Sequence, residues 1–491
     1  MKKYTIINRV AQVAFLISYL SLQLSASYAQ STVKLDQAVR EAQSSVQLSH
    51  ASLSVCVYNV AKGRNVYSYE AQKSLVPASV SKILTTAVGF ENLGPSFRFK
   101  TTLKYTGKID NNGVLHGDII IVGGGDPVLG SYRYKQTTPD SVFAAWHRAI
   151  RALGIKSIDG RVCYDASIFD DRAHNDSWQW GDIGNYYGCG ATGLNFHENM
   201  FFAYFNAGAK PGSAAALDHT APAGLRIHSQ NNVTTGPANS GDNVTIYGDA
   251  ASSIRLYEGT VPLGKRNFSV RGAMPNPPES CASLFTAYLK SKGTNVSGSP
   301  ARNLRHADGK EIIDYLSNTY YVIAQYTNLT SNNLYAESIL KYLGYKQYKK
   351  GSSENGIKAI MSYCSEAGIG TDGVMIFDGC GLSRQNRVTC DFVCRFLKHV
   401  AQSRIYSDFS KSLAKVGESG TAKNLLPKLP ANIAMKIKSG TMDGVKSYAG
   451  YITNSKGDLL CFSIIANNFT CPASQVQPHL EKIMMQMALL Q

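Results

Sequence analysis

Three short patterns in this sequence could together carry out acyl transfer through a serine. A serine hydroxyl is a poor nucleophile until a neighbouring base takes its proton, and a lysine one helical turn away can do so. Four Ser-x-x-Lys pairs have that spacing: Ser31/Lys34, Ser79/Lys82, Ser338/Lys341 and Ser412/Lys415. Ser-x-Asn occurs at Ser229/Asn231, Ser331/Asn333 and Ser353/Asn355, and Lys-Ser-Gly occurs once, at Lys438-Ser439-Gly440. Spacing alone selects none of the serines. Joint context selects Ser79/Lys82, then Ser331/Asn333, then Lys438-Ser439-Gly440, because the first opens a helix after a hairpin and the last lies on a strand that leads into the closing hairpin.

Each member of the trio has a chemical part. Lys82 must be neutral to act as a base, and bringing a lysine from about 10.4 to about 7 costs roughly 4.6 kcal/mol at 1.36 kcal/mol per unit, which desolvation and a second cation can supply. Lys438 is that cation, and Ser331 offers a hydroxyl that can pass the proton to a leaving amine. Asn333 can hold a substrate amide through its donor and acceptor ends. The small Gly440 lets a substrate lie along the strand edge, so that the backbone N–H of Thr441 joins that of Ser79 as an oxyanion hole.

These residues need a frame. Alternation over Ser52–Val60 and a second short run over Asn65–Tyr69 predict a hairpin turning at Lys62-Gly63, and Pro77 favours a helix start that puts Ser79 and Lys82 in its first turns. From about 95 to 305 the texture changes to frequent Gly, Asn and Ser with short strand-like pieces. A helix with apolar residues at Cys281, Leu284, Phe285, Tyr288 and Leu289 closes that region at Gly293. Longer helical periodicity returns after 306, and the runs 448–455 and 458–468 flank Lys456-Gly457 as a last hairpin. Strands at both ends with helices between predict a domain that begins, is interrupted and is completed later.

The ordered trio is the signature of the penicillin-binding proteins and serine β-lactamases. The elbow GxSxG of the α/β-hydrolases is absent. Ser331 follows Ser79 by 252 residues and Lys438 follows Ser331 by 107. With so long a first gap, the chain resembles the D-alanyl-D-alanine carboxypeptidase/endopeptidase family of the penicillin-binding protein 4, or S13, type, in which extra domains are inserted there. Further matches are 76-VPASVSK-82, 123-GGGDPVL-129, 331-SNNLYAE-337, 378-DGCGLSR-384 and 438-KSGTMDGV-445. The resemblance implies an α+β fold: a β-lactamase/DD-peptidase-like penicillin-binding domain, an antiparallel sheet flanked by helices, with two nested insertions. The expected division is a leader at 1–29, the penicillin-binding domain at 30–94 and 306–491, and an insert at 95–305, made of about 95–195 with 276–305 and about 196–275.

The same resemblance implies Ser79 as the acylated nucleophile, Lys82 as base, Ser331 and Asn333 as second motif and Lys438 as third. Ser439 and Gly440 line the substrate strand, and Thr441 contacts the terminal carboxylate of D-alanine. Around 180-WGDIGNYY-187, Asp182 and Tyr187 match an acid and an aromatic that face the substrate side chain, and Arg384 matches an arginine there. An acid with an arginine suits a zwitterionic diaminopimelate end, one partner per charge. Two departures stand out. Cys380 replaces a usual Ser, which is read as neutral, and Asp443 replaces a residue that is commonly Gln, adding an acid beside the pocket. Asp126 reads as a turn cap.

Composition bounds the rest. At 491 residues, 44% hydrophobic and 17% charged, the chain is a folded protein of two to four domains, not a disordered or collagen-like one. Lys2, Lys3 and Arg9 precede an apolar Val13–Ile17 and a small-residue site at Ser27-Tyr28-Ala29, which reads as a secretory signal cleaved near Ala29, giving an exported, periplasmic product. The formal charge of +16 falls by three with that segment, which favours peripheral association with an anionic envelope, while the lack of a long basic run indicates no nucleic-acid module. With neither CxxC nor HExxH among ten cysteines and ten histidines, no zinc site, metal or cofactor is expected, and buried free cysteine is the default reading. The C-terminal 479–490 segment reads as a helix packed on the terminal sheet. The expected activity is an exported serine DD-peptidase acting on peptidoglycan stem peptides and acylated by β-lactams. The competing readings are a β-lactamase, disfavoured by the insert, and a silent wall-binding protein, disfavoured by the complete trio. Oligomeric state is left open.

Overall fold

A computed structural model describes residues 31–303 and 309–490, so the expected leader lies outside the described residues. The chain divides into two compact units. One comprises the described residues of Met1–Val80 with Ala367–Val374 and Arg387–Gln491, and the other Ser81–Glu366 with Met375–Asn386.

The alternating residues of Ser52–Asn59 do form a strand, paired antiparallel with Arg64–Tyr69 on one side and with Leu459–Asn467 on the other. The first unit is thus a six-stranded antiparallel sheet in the order Ala414–Lys415, Ala434–Met442, Val445–Thr453, Leu459–Asn467, Ser52–Asn59, Arg64–Tyr69. The central strands are buried along nearly their whole length, which requires cover. The helix Cys390–Ala401, capped by the Thr389 hydroxyl accepting from the Phe392 N–H at 3.0 Å, supplies Phe392, Phe396, Leu397 and Val400. The helix Ala473–Ala488 supplies Val476, Leu480, Ile483, Met484 and Met487 and packs on Val445–Thr453, as its sequence pattern predicts. Cys390 and Cys394 lie one turn apart on the sheet-facing side, where their thiols donate to the carbonyls of Ser54 and Cys56. All ten cysteines are free and nine are buried, so they act as small core residues.

In the second unit the helix Lys82–Leu93 is buried from Lys82 to Phe90. It packs against helices Tyr320–Thr330, Asn333–Tyr348 and Ser353–Glu366. Gly89 permits the closest approach: a Cβ there would lie 1.8 Å from the Tyr320 hydroxyl, which donates to the Thr86 carbonyl at 2.8 Å. Residues 98–319 add a five-stranded mixed sheet and a four-stranded one. Helices Pro139–Ala152 and Pro277–Ser291 cover them with Phe143, Trp146 and Phe285. Two three-stranded sheets from residues 200–273 share a core of Phe201, Phe205, Ile246 and Tyr257.

Candidate active site

In the first unit, the segment before Ser79 is tied to the sheet. The Val76 N–H donates to Asn467 Oδ1 at 2.7 Å, Asn467 Nδ2 donates back to the Val76 carbonyl at 3.0 Å, and Ser447 Oγ donates to the Pro77 carbonyl at 2.6 Å. Ala78 takes a left-handed φ of +46°, an uncommon conformation for a residue with a side chain, and Ser79 stays partly accessible between buried neighbours. Gly440 faces this segment. A Cβ on it would meet Ser447 Oγ at 2.3 Å, the Pro77 carbonyl oxygen at 2.7 Å and the Ser79 amide nitrogen at 3.0 Å, so only glycine fits. The strand Ala434–Met442 therefore brings Lys438, Ser439, Gly440 and Thr441 to the backbone of Ser79. Lys438 is fully buried, with Nζ donating to the Ser439 carbonyl at 2.7 Å, and Ser439 Oγ bonds Thr421 Oγ1 at 2.8 Å. Thr441 is exposed and accepts from Lys446 Nζ at 2.9 Å. Asp443 is exposed in the turn between that strand and the next.

In the second unit, Lys82 opens its helix fully buried, and Nζ donates to Asn333 Oδ1 and to the Cys380 carbonyl, both at 2.6 Å. Burial drives its pKa down, against the opposing pull of Asp378 and Glu337. Asn333 has both ends engaged, since Nδ2 donates to the Tyr187 carbonyl at 2.8 Å. Asn333 thereby braces Lys82 against the 180s segment. Ser331, at a left-handed φ of +61°, ends one helix, and Asn332 caps the next by accepting from the Tyr335 N–H at 3.0 Å. Asp182 and Tyr187 come together, the phenol donating to Asp182 Oδ1 at 3.2 Å. Arg384 is half-buried in the DGCGLSR loop.

That loop depends on two acids the sequence reading missed. Glu337 Oε1 accepts the N–H groups of Gly379 and Cys380, each at 2.7 Å, and burial followed by the Asp378 charge pushes its pKa up to about 7. Asp378 accepts from the N–H of Gly381 and Ser383, from Asn386 Nδ2 and from Trp178 Nε1. Together they fix the carbonyl of Cys380 against Lys82. Their one signal in the sequence is their place in the motif segments 331-SNNLYAE-337 and 378-DGCGLSR-384. It is the Cys380 carbonyl that meets Lys82, while its thiol points to Asp378 at 3.6 Å, so the departure from Ser leaves that contact unchanged.

The competing Ser-x-x-Lys pairs have other duties. Ser338 and Lys341 are buried, Ser338 bonded to Asn195 Nδ2 and Lys341 Nζ held by Asp170 and by the carbonyls of Arg172 and Ala191. Ser412 is buried with its hydroxyl on the Phe409 carbonyl, and Lys415 pairs with Glu418. Ser31 is the first described residue and lies on a helix that runs to residue 44. Asp126 caps its turn as expected, accepting from the Val128 N–H at 2.8 Å.

Against known proteins, residues 35–490 match the model of the D-Ala-D-Ala carboxypeptidase 3 (S13) family. The chain is 27% identical to a D-alanyl-D-alanine carboxypeptidase of Actinomadura sp. (strain R39), over 87% of this chain and 79% of that one. It is 23% identical to the D-alanyl-D-alanine carboxypeptidase DacB of Haemophilus influenzae, over 84% of each. The crystal structure of penicillin binding protein 4 (dacB) from Haemophilus influenzae superposes with a TM-score of 0.77 at 22% identity, covering 89% of this chain and 97% of that one. The α+β fold expected from the motifs is the fold observed.

Proposed function

The chain belongs to the D-Ala-D-Ala carboxypeptidase 3 (S13) family, and from that premise we propose that it is an exported serine DD-peptidase that removes terminal D-alanine from peptidoglycan stem peptides or cuts D-alanyl cross-links. Ser79 Oγ attacks the carbonyl of the penultimate D-alanine as Lys82 takes its proton. The oxyanion is received by the N–H groups of Ser79 and Thr441. Ser331 relays the proton to the departing amine, and water then releases the acyl group from Ser79 by the reverse route. Lys438 supplies the second positive charge that favours neutral Lys82, Thr441 receives the terminal carboxylate, and Asp182, Tyr187, Arg384 and Asp443 read the substrate side chain. Penicillins acylate Ser79 in the same way and are released slowly.

The observation that carries this reading is the buried Lys82 Nζ donating to Asn333 Oδ1 at 2.6 Å, which joins the first and second motifs across 251 residues of chain. The reading also assigns 30–94 with 306–491 as the penicillin-binding domain and 95–305 as nested insertions, supported by a sheet built from both chain ends and separate sheets from residues 98–319. Incubation with fluorescent penicillin tests the activity: lasting label supports a DD-peptidase, rapid turnover indicates a β-lactamase, and no label a binding protein. Digestion of purified peptidoglycan then tells carboxypeptidase from endopeptidase products.

A further inference from the structure

A cleft of about 300 Å³ in the second unit opens beside the second motif, lined by Ser331, Asn332 and Asn333 and by Arg133, Glu198 and Arg271. Tyr187 also lines it, whereas neither Asp182 nor Arg384 does. Its two guanidinium groups are in different electrostatic situations. Arg133 is neutralised by Glu198, with Nε to Oε1 at 2.5 Å and Nη2 to Oε2 at 2.9 Å, and Glu198 is further held by Ser131 Oγ at 2.7 Å and the Tyr335 hydroxyl at 2.8 Å. Arg271, half-buried on the strand Phe268–Ala273, lies 3.6 Å above the ring of Tyr186, and among the described residues it forms no ion pair. The wall is built at a cost: His197, Glu198 and Asn199 take left-handed φ values of 55°, 55° and 49° in succession.

A guanidinium oriented by stacking keeps its planar donor fork for a partner, and the partner whose geometry matches that fork is a carboxylate. Because Ser331 and Asn333, assigned above to the second motif, line the same cleft, the partner reaches it as part of the substrate that this motif handles. We propose that the cleft is a subsite for a carboxylate carried by the peptide upstream of the scissile D-Ala–D-Ala bond, received by Arg271 with Arg133 held out of competition by Glu198. A carboxylate of this kind is the α-carboxylate left free when a glutamate is linked through its side chain. The proposal rests on the DD-peptidase reading above and adds to it a determinant of specificity far in sequence from the three motifs.

Two peptides ending in D-Ala-D-Ala and differing only in whether that glutamate α-carboxylate is free or amidated provide the test. The wild-type protein should cleave the free acid with a kcat/KM about 10- to 100-fold higher, the range for one charged hydrogen-bonded contact. In Arg271→Gln the ratio of the two substrates should fall to about one, and in Arg271→Lys it should fall part of the way. The ratio is read within each protein, so a general loss of activity does not imitate it. A ratio near one in a wild-type protein that is labelled by penicillin overturns the subsite alone. An unchanged ratio in Arg271→Gln also overturns it. A wild-type protein that neither takes label nor cleaves either peptide overturns the DD-peptidase reading and the subsite with it.

Discussion

Lys82 is where sequence and structure meet most closely. A fully buried lysine whose pKa is driven down is a base in waiting, and arginine at the same place keeps the charge but cannot give it up near neutral pH. Lys82→Arg should lower the rate of penicillin acylation by about 10²- to 10⁴-fold, measured by stopped-flow labelling. Acylation by the wild-type protein should rise with pH, because the unprotonated amine is the active form and its fraction grows as pH passes through a pKa below the ordinary lysine range. Gly440→Ala should cost acylation about 100-fold or more, since its Cβ would lie 3.0 Å from the Ser79 amide nitrogen and within contact distance of Ser447 and Pro77. Asp182→Ala and Arg384→Ala should each lower kcat/KM on a peptide with a free diaminopimelate end by about 10- to 100-fold, with far smaller losses on simple penicillins. The trio was legible because each member is a residue type with a chemical duty. Glu337 and Asp378 were not: Glu337 accepts N–H groups from a loop some forty residues away, Asp378 folds its own loop around itself and reaches back to Trp178, and in sequence each looks like any other acid.

Elements show why the scaffold holds those groups. The loop after Asp378 has no regular structure of its own, and its shape is set by two buried carboxylates and by the helix Asn333–Tyr348 that carries one of them. Glu337→Ala would leave the Gly379 and Cys380 N–H groups buried without an acceptor, at about 1–3 kcal/mol each, and should lower thermal stability and acylation together, whereas Glu337→Gln keeps an acceptor and should recover most of the stability. Asp126 gives a pH test of the 119–130 segment. It is fully buried, its Oδ2 has no hydrogen-bond partner, and burial raises its pKa from 3.8 to about 7. A carboxyl raised on folding favours the native state below its unfolded pKa and loses that contribution as pH climbs through the folded value. Wild-type stability should therefore fall relative to Asp126→Asn between pH 4 and pH 7, by at most about 4 kcal/mol, in parallel urea titrations. Elements with a clean period were readable in sequence, as with the Ser52–Asn59 strand and the terminal helix. The short strands of 98–319 were only a change of texture, since pieces such as Lys108–Ile109 and Ala301–Arg302 are two residues long and are defined by their neighbours.

For the whole molecule, charge and the continuity of the chain dominate. A formal charge of +16, less the three positive charges of the expected leader, on a protein proposed to work at an anionic envelope predicts that sedimentation with purified peptidoglycan weakens as salt rises from about 0.05 to 0.5 M, where the screening length falls well below 10 Å. The six-stranded sheet takes strands from residues 52–69 and 414–467, so the early strands cannot complete their pairing until the far end of the chain arrives. The sequence implied that return, with strands at both ends and a helix-opening serine after the first hairpin, but not the close approach of Gly440 to Ser79, which depends on strand order and register. The central claim is that a single serine is acylated, and mass spectrometry of a proteolytic digest after incubation with penicillin tests it most directly. The adduct should lie on the peptide containing Ser79 and vanish in Ser79→Ala, while an adduct on Ser31, Ser338 or Ser412, or persistence of the label in Ser79→Ala, would contradict the account.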